Sequence, residues 1–364
     1  MTQPKKMRLL IDVRALMDRS SGGVARVALE LMKNFAVQYP EVELVCATTG
    51  FGKRPLPHEL SKLDNIKHIH LNIPNKLWGI LSFLNVVSFS NEIEKQTGKI
   101  DATFFPNLGF MGSCRDHGYF LLLHDLSFLI EPRWFSRKQR IWHDLVKAKK
   151  MIYDAKHLLA VSETTKRDAV RLLGIPENHI TVIPLGPTSV VGAGSPRQGS
   201  IKNRYVLSIG AGDPRKNSAT AIQAVKILRR EIGYDDLEMV LIGRPQAVRG
   251  TWHKKNWIHT LERPSDSELA NLYANASAFL YPSWYEGYGL PLHEAASFGT
   301  PCIASTSGAL PETAPPGTIF ANPAKPHHWV EAIKIALIKR NEPIQIDVQT
   351  WQKSAELMKE TMKL

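Results

Sequence analysis

Two glutamates eight positions apart, Glu286 and Glu294, flank a glycine-rich turn in the stretch SWYEGYGLPLHEAASFGTPCIAS, residues 283–305. Pro291 suits the first turn of a helix, and Gly299 is a stop before Pro301. Glu294 then lies about a turn inside the helix and Glu286 just outside it, so the two carboxylates cannot form a surface i,i+4 pair. They can instead hold two parts of one elongated ligand, with the backbone amides of Gly287, Tyr288, Gly289 and Leu290 between them. Ribose and sugar hydroxyls are natural partners for such carboxylates. A helix start favours acids through its dipole, which accounts for Glu294 but not for the glycines.

Three other loops carry groups that could meet the same ligand. In SIGAGDPRKNSATAI the chain passes Gly210 and Gly212 and delivers Arg215 and Lys216 to a helix start. Two fixed cations there suit a diphosphate whose charge grows as it leaves, while a proline turn with exposed basics is the plainer reading. His124 ends the apolar run LLLHDLSFL, where it could hydrogen-bond a sugar, move a proton or serve structure alone. Gly22 and Gly23 in SSGGVARV permit close backbone approach at a helix N-terminus that attracts anions, although a glycine pair is also a common turn.

Such loops need strands to place them. Short β-branched runs alternate with amphipathic stretches, the pattern of parallel-sheet α/β domains. MRLLIDV, VELVCATT, IKHIHLN, ATFFP, YFLLLHD, LLAVS and ITVIPLG read as strands of a first domain. Helices are expected over 24–35, 136–155 and 163–173. Residues 187–200, PTSVVGAGSPRQGS, have linker composition, and the strand pattern restarts with YVLSIGAG, EMVLIGR, AFLYPS and PCIAS. The expectation is an α/β chain of two doubly wound domains facing a cleft. Their bounds are 1–186 and 201–345, with a terminal helix over 346–364 that returns to the first domain on Trp351, Ala355, Leu357, Met358 and Met362.

The 364 residues are 43% hydrophobic and 22% charged, which excludes disordered and fibrous classes. Cys46, Cys114 and Cys302 are too few and too far apart for a disulfide framework or a zinc site. No apolar run is long enough to span a bilayer; LWGILSFLNVVSF, residues 77–89, reads as a core or interfacial segment. No signal peptide is read, and a cytoplasmic setting is expected. The net charge of +12 concentrates in residues 133–157, where eight cations face only Asp144 and Asp154. Trp134, Phe135 and Trp142 interleave them. A solvated helix face and attraction to anionic lipid both fit, whereas no nucleic-acid motif accompanies the charge.

With these residues assembled, the chain resembles the family four retaining glycosyltransferases of the GT-B fold. EGYGLPLHE matches that family's Glu-x7-Glu motif, and GGVAR, HDLS, VSETTKRD, DPRKN, SGALPE and the tryptophan-led last helix are similar to its other segments. Ala211 stands where many members have arginine. The resemblance implies that Glu294 holds the ribose and Glu286 the transferred sugar, that Arg215 and Lys216 neutralise the diphosphate, and that His124 touches the sugar near the reacting carbon. It implies no cofactor, no required metal, and same-face attack in which the leaving phosphate accepts the acceptor's proton. The resemblance of DPRKN and SGALPE to mannosyltransferase-like members implies mannose from GDP-mannose as donor, with a UDP-sugar as the alternative. The expected acceptor is a glycan or a lipid-linked glycan at the inner membrane face, in surface polysaccharide or glycoconjugate synthesis. The rival readings are a nucleotide-sugar epimerase and a non-catalytic basic protein that binds membrane or nucleic acid.

Overall fold

A computed structural model of the chain describes residues 6–17, 22–110, 118–186, 203–244, 255–338 and 349–364. The chain forms two compact units, Met1–Gly186 with Val348–Leu364, and Pro187–Asp347. The expected linker 187–200 lies outside the described residues.

The first unit contains seven strands: β1 Met7–Asp12, β2 Val42–Thr49, β3 Ile66–Leu71, β4 Ala102–Phe105, β5 Phe120–Leu123, β6 His157–Ala160 and β7 Ile180–Val182. All are parallel, in the order β3-β2-β1-β4-β5-β6-β7. Leu9, Leu10 and Ile11 are fully buried in succession, as strands covered on both faces require. The helix Gly22–Gln38 buries Val27, Ala28, Leu31, Met32, Phe35 and Ala36, one stripe at helical spacing. The terminal helix Gln349–Met362 packs on it. Trp351, Ala355, Met358 and Met362 are buried, Lys359 Nζ pairs with Glu41 at 2.7 Å, and the Ser354 hydroxyl donates to the Pro184 carbonyl. Gly186 admits Trp351 because any side chain there would occupy the indole's place.

One expected element breaks in two. Instead of one helix over 136–155, the chain forms Arg137–Leu145 and Ala148–Tyr153. Lys147 sits between them in the left-handed region, φ 52°, and its ammonium donates to the Phe83 carbonyl at 2.8 Å.

The second unit adds β8 Tyr205–Ala211, β9 Glu238–Gly243, β10 Ile258–Leu261, β11 Ala278–Tyr281, β12 Cys302–Ser305 and β13 Ile319–Ala321. They too are parallel, in the order β10-β9-β8-β11-β12-β13. Strands β10 and β13 were not anticipated.

In both sheets the direction of strand progression reverses once, between β1 and β4 and between β8 and β11. Loops leaving neighbouring strands at such a point diverge and leave room for a ligand beyond the carboxyl ends.

Candidate active site

In the second unit β8 reaches this point through an irregularity, its register with β9 shifting between Ile209 and Ala211. Gly210 lies there at φ +96°, and a side chain on it would run into the Lys216 stem. Asp213 then accepts from the Arg215 amide at 2.9 Å and caps the short turn Pro214–Lys216. Asn217 follows in the left-handed region, φ 52°, and starts the helix Ser218–Leu228. Its buried amide donates to the carbonyls of Pro282, at 3.0 Å, and Pro323, at 2.9 Å. The Trp284 amide donates to the Arg215 carbonyl at 2.8 Å. The loops after β8 and β11 are therefore joined by backbone contacts, and Arg215 and Lys216 stand on a fixed frame.

Lys216 Nζ donates to Glu286 Oε1 and to the Tyr281 hydroxyl, both at 2.7 Å. Glu286 is 6% exposed. Burial raises its pKa, but the positive charges of Lys216 and Arg215 outweigh this and hold the carboxyl below its ordinary value. Burial, followed by the Glu286 charge, pushes the Tyr281 phenol well above its usual range, so it stays protonated. The backbone around Glu286 is equally constrained. Its carbonyl accepts from the Ala309 amide at 2.9 Å, and a Cβ on Gly308 would come within 2.7 Å of the Glu286 nitrogen and oxygen. SGALPE thus works as a brace behind Glu286.

Gly289 takes φ +102° before the helix Leu290–Ser297, and a Cβ there would lie 2.6 Å from Leu310. Pro291 is in the first turn. Glu294, 4% exposed, accepts from the Tyr273 hydroxyl at 3.0 Å. The carboxylates have different surroundings: Glu286 is held by cations, and Glu294 by a phenol beneath the helix.

The first unit places Gly22 at φ +48° and Gly23 in the opening turn of the helix Gly22–Gln38. His124 follows β5 with Nε2 2.8 Å from the Pro106 carbonyl. A carbonyl can only accept, so Nε2 carries the proton. Burial lowers the pKa against the opposing pull of that bond and of Asp125, leaving a neutral ring whose Nδ1 is an acceptor. Asp125 is engaged with Ser127, whose amide donates to it at 2.9 Å.

The sequence reading missed several members of these groups. At the end of β1, buried Asp12 accepts from Arg14 Nε at 2.9 Å and from Nη2 at 2.7 Å, while Nη2 also meets the Phe110 carbonyl at 2.6 Å. Both residues line a cavity of about 380 Å³ with Asn107 and Trp142. Tyr281, Tyr273 and Asn217 were likewise given no role. Polar residues closing an apolar strand, as Asp12 closes MRLLID, were the available signal.

Two all-parallel sheets, each reversing its strand progression once, define an α/β protein of the GT-B class. The description "Glycosyltransferase Family 4" matches residues 21–187, and "Glycosyl transferases group 1" matches residues 196–351. The chain belongs to the family four-like glycosyltransferases. It is 31% identical over 221 residues to an O-antigen chain mannosyltransferase B of Escherichia coli, covering 55% of this chain and 56% of that one. An MMP alpha-(1->4)-mannosyltransferase of Mycolicibacterium hassiacum is 32% identical over 192 residues, 50% of this chain and 46% of the other. The chain spans about half the length of these curated relatives. Among solved structures, sucrose-phosphate synthase from Thermosynechococcus elongatus shares the fold with a TM-score of 0.68 at 17% identity, over 98% of this chain and 94% of that one.

Proposed function

We propose that the protein is a retaining glycosyltransferase that moves mannose from GDP-mannose to a glycan acceptor in surface polysaccharide synthesis. The observation that carries the reading is the Lys216–Glu286 pair at the reversal point of the second sheet, with Arg215 beside it on the same turn. Two cations on a braced loop can take up the charge of a departing nucleoside diphosphate, an electrostatic contribution that needs no reorganisation as the bond breaks. Glu286, kept ionised, accepts from sugar hydroxyls, and Glu294 accepts from the ribose.

In this reading the acceptor oxygen attacks the anomeric carbon on the face from which the diphosphate leaves. The bond between that carbon and the phosphate oxygen breaks, its electron pair stays on the diphosphate, and the acceptor's proton passes to the leaving phosphate oxygen. The chain then supplies no separate base, and Arg215 and Lys216 take the electrostatic part that a metal ion plays elsewhere. His124 offers Nδ1 as an acceptor to a sugar hydroxyl. The names of the curated mannosyltransferase relatives support mannose as the transferred sugar.

The first measurement is saturation-transfer NMR with GDP, UDP, GDP-mannose, UDP-glucose and UDP-N-acetylglucosamine, on wild type and Glu294→Ala. The expected result is selective binding of the guanine nucleotides, weakened by the substitution. Preference for uridine nucleotides would move the donor to a UDP-sugar. A folded protein that binds none of the five would overturn the transferase reading.

A further inference from the structure

Of the seventeen large apolar side chains that the described residues leave exposed, nine lie within residues 77–86 and 141–153. The helix Asn75–Phe83 buries Trp78, Gly79 and Ser82 and turns Leu77, Ile80 and Phe83 outward. A surface helix normally shows water its polar residues, whereas here the outward face carries large apolar side chains beyond Asn75 and Lys76. It is also fixed, because the Trp78 indole donates to the Phe110 carbonyl at 2.9 Å. Leu84 and Val86 continue the outward apolar stretch at 59% and 68% exposure. Scattered exposed leucines need no explanation, but a contiguous cluster marks an interaction surface.

Lys147 joins this helix to the basic ones: its ammonium bonds the Phe83 carbonyl and lies 4.7 Å from the centre of the Phe83 ring. On the basic helices Ile141, Trp142, Leu145 and Tyr153 are exposed. Arg137, Lys138, Arg140 and Lys149 form no ion pair among the described residues. A cavity of about 530 Å³ opens here, lined by Phe128, Leu129, Arg140, Lys147, Lys149 and Lys150, with Asp144 the one carboxylate on its wall.

We infer that this face docks on a bilayer carrying anionic phospholipid, with Leu77, Ile80 and Leu84 entering the acyl boundary and the unpaired cations meeting headgroup phosphates. Charge complementarity selects this partner, and the apolar side chains standing among the cations suit a surface that is negative at the headgroups and apolar just below. Trp142 belongs to this face and also lines the cavity at the ends of β1 and β4. A lipid-linked acceptor held at the bilayer would therefore be presented beside the Asp12–Arg14 fork. That last step rests on the transferase reading; the docking does not.

The test is flotation of the full chain with vesicles of phosphatidylcholine alone or mixed with phosphatidylglycerol, at low and high salt. Wild type should bind the anionic vesicles and leave the neutral ones. Arg137→Gln/Lys138→Gln/Lys149→Gln should weaken binding on the order of 100-fold. Leu77→Ser/Ile80→Ser/Leu84→Ser should abolish the fraction that survives high salt. Both variants should keep the melting temperature and nucleotide binding of wild type. No binding to anionic vesicles, equal binding to neutral ones, indifference to both variants, or equal displacement by short duplex DNA would each overturn the docking. Nucleotide binding without docking sinks this inference alone, and docking without nucleotide binding sinks the transferase reading alone.

Discussion

At the ends of β8 and β11 the cations are enclosed by partners, whereas on the helices Arg137–Leu145 and Ala148–Tyr153 they stand in solvent. Lys216 and Glu286 expose 15% and 8% of their side chains, and each is fixed by a further group, the Tyr281 hydroxyl or the Gly308–Ala309 backbone. Lys150, by contrast, is 64% exposed even in its ion pair with Asp154. The difference is one of electrostatic cost. A buried charge survives only with its partner, so the strand-end pair must be built as a unit. An exposed charge needs no partner and is left available to whatever arrives. Net charge reports the second kind and is blind to the first.

The largest effect should come from dividing the buried pair. Lys216→Met would leave Glu286 buried without its nearest cation, at a cost of ~3–5 kcal/mol in urea unfolding. The double variant Lys216→Met/Glu286→Gln should recover most of that stability, since neither charge is then stranded. Turnover should not recover, remaining down by roughly 10²–10³, the loss typical of removing one transition-state charge contact. If the double variant is no more stable than the single, the two charges are not a unit and the contrast with the helices fails.

Acid sharpens the same contrast. The Glu286 carboxyl is held below its ordinary value by Lys216 and Arg215 in spite of burial. A depressed folded pKa contributes stability that is complete above the unfolded carboxylate value, about 4.3. That contribution is lost as pH falls through the lower folded value. The stability of wild type relative to Glu286→Gln, followed by urea midpoint, should be level from pH 7 to about pH 5 and then decline. A difference that stays constant down to pH 3 would mean that the carboxylate is not held by those cations.

Central strands were legible as continuous apolar runs such as LLI and FLLL, and the edge strands β3 and β7 through the β-branched residues of IKHIHLN and ITVIPLG. The edge strands β10 and β13 carry neither signature clearly. β10 is exposed over Thr260 and Leu261, and β13 has only three residues, so IHTL and IFA look like loop. The helix Asp266–Asn275 was legible but overlooked, since Ser265 and Glu268 form a capping box. The break at Lys147 was not legible, because it depends on a carbonyl 64 positions away in sequence. For the candidate site, spacing located Glu286, Glu294, Arg215 and Lys216 but could not say that Lys216 touches Glu286. Nor could it show that Asp12 and Arg14 close the first sheet's reversal point: that pairing follows from side-chain direction at a strand end, and an aspartate two residues before an arginine is common in any chain.

The smallest effect should be on the solvent-facing side of the contrast. Arg137→Gln, Lys138→Gln and Lys149→Gln remove three of the charges behind the net +12, at positions with no ion pair among the described residues. Each should change the unfolding free energy by no more than ~0.5 kcal/mol, as substitutions far from any buried network do. A slight gain is the more natural sign, because fewer like charges repel in the folded state. The three changes should also add, since exposed sites without shared partners are independent. A combined loss above ~2 kcal/mol would place them in the class where buried partners are broken. These cations would then be part of the fold, as Lys216 is, and the surface they form would have no charge to spare for a partner.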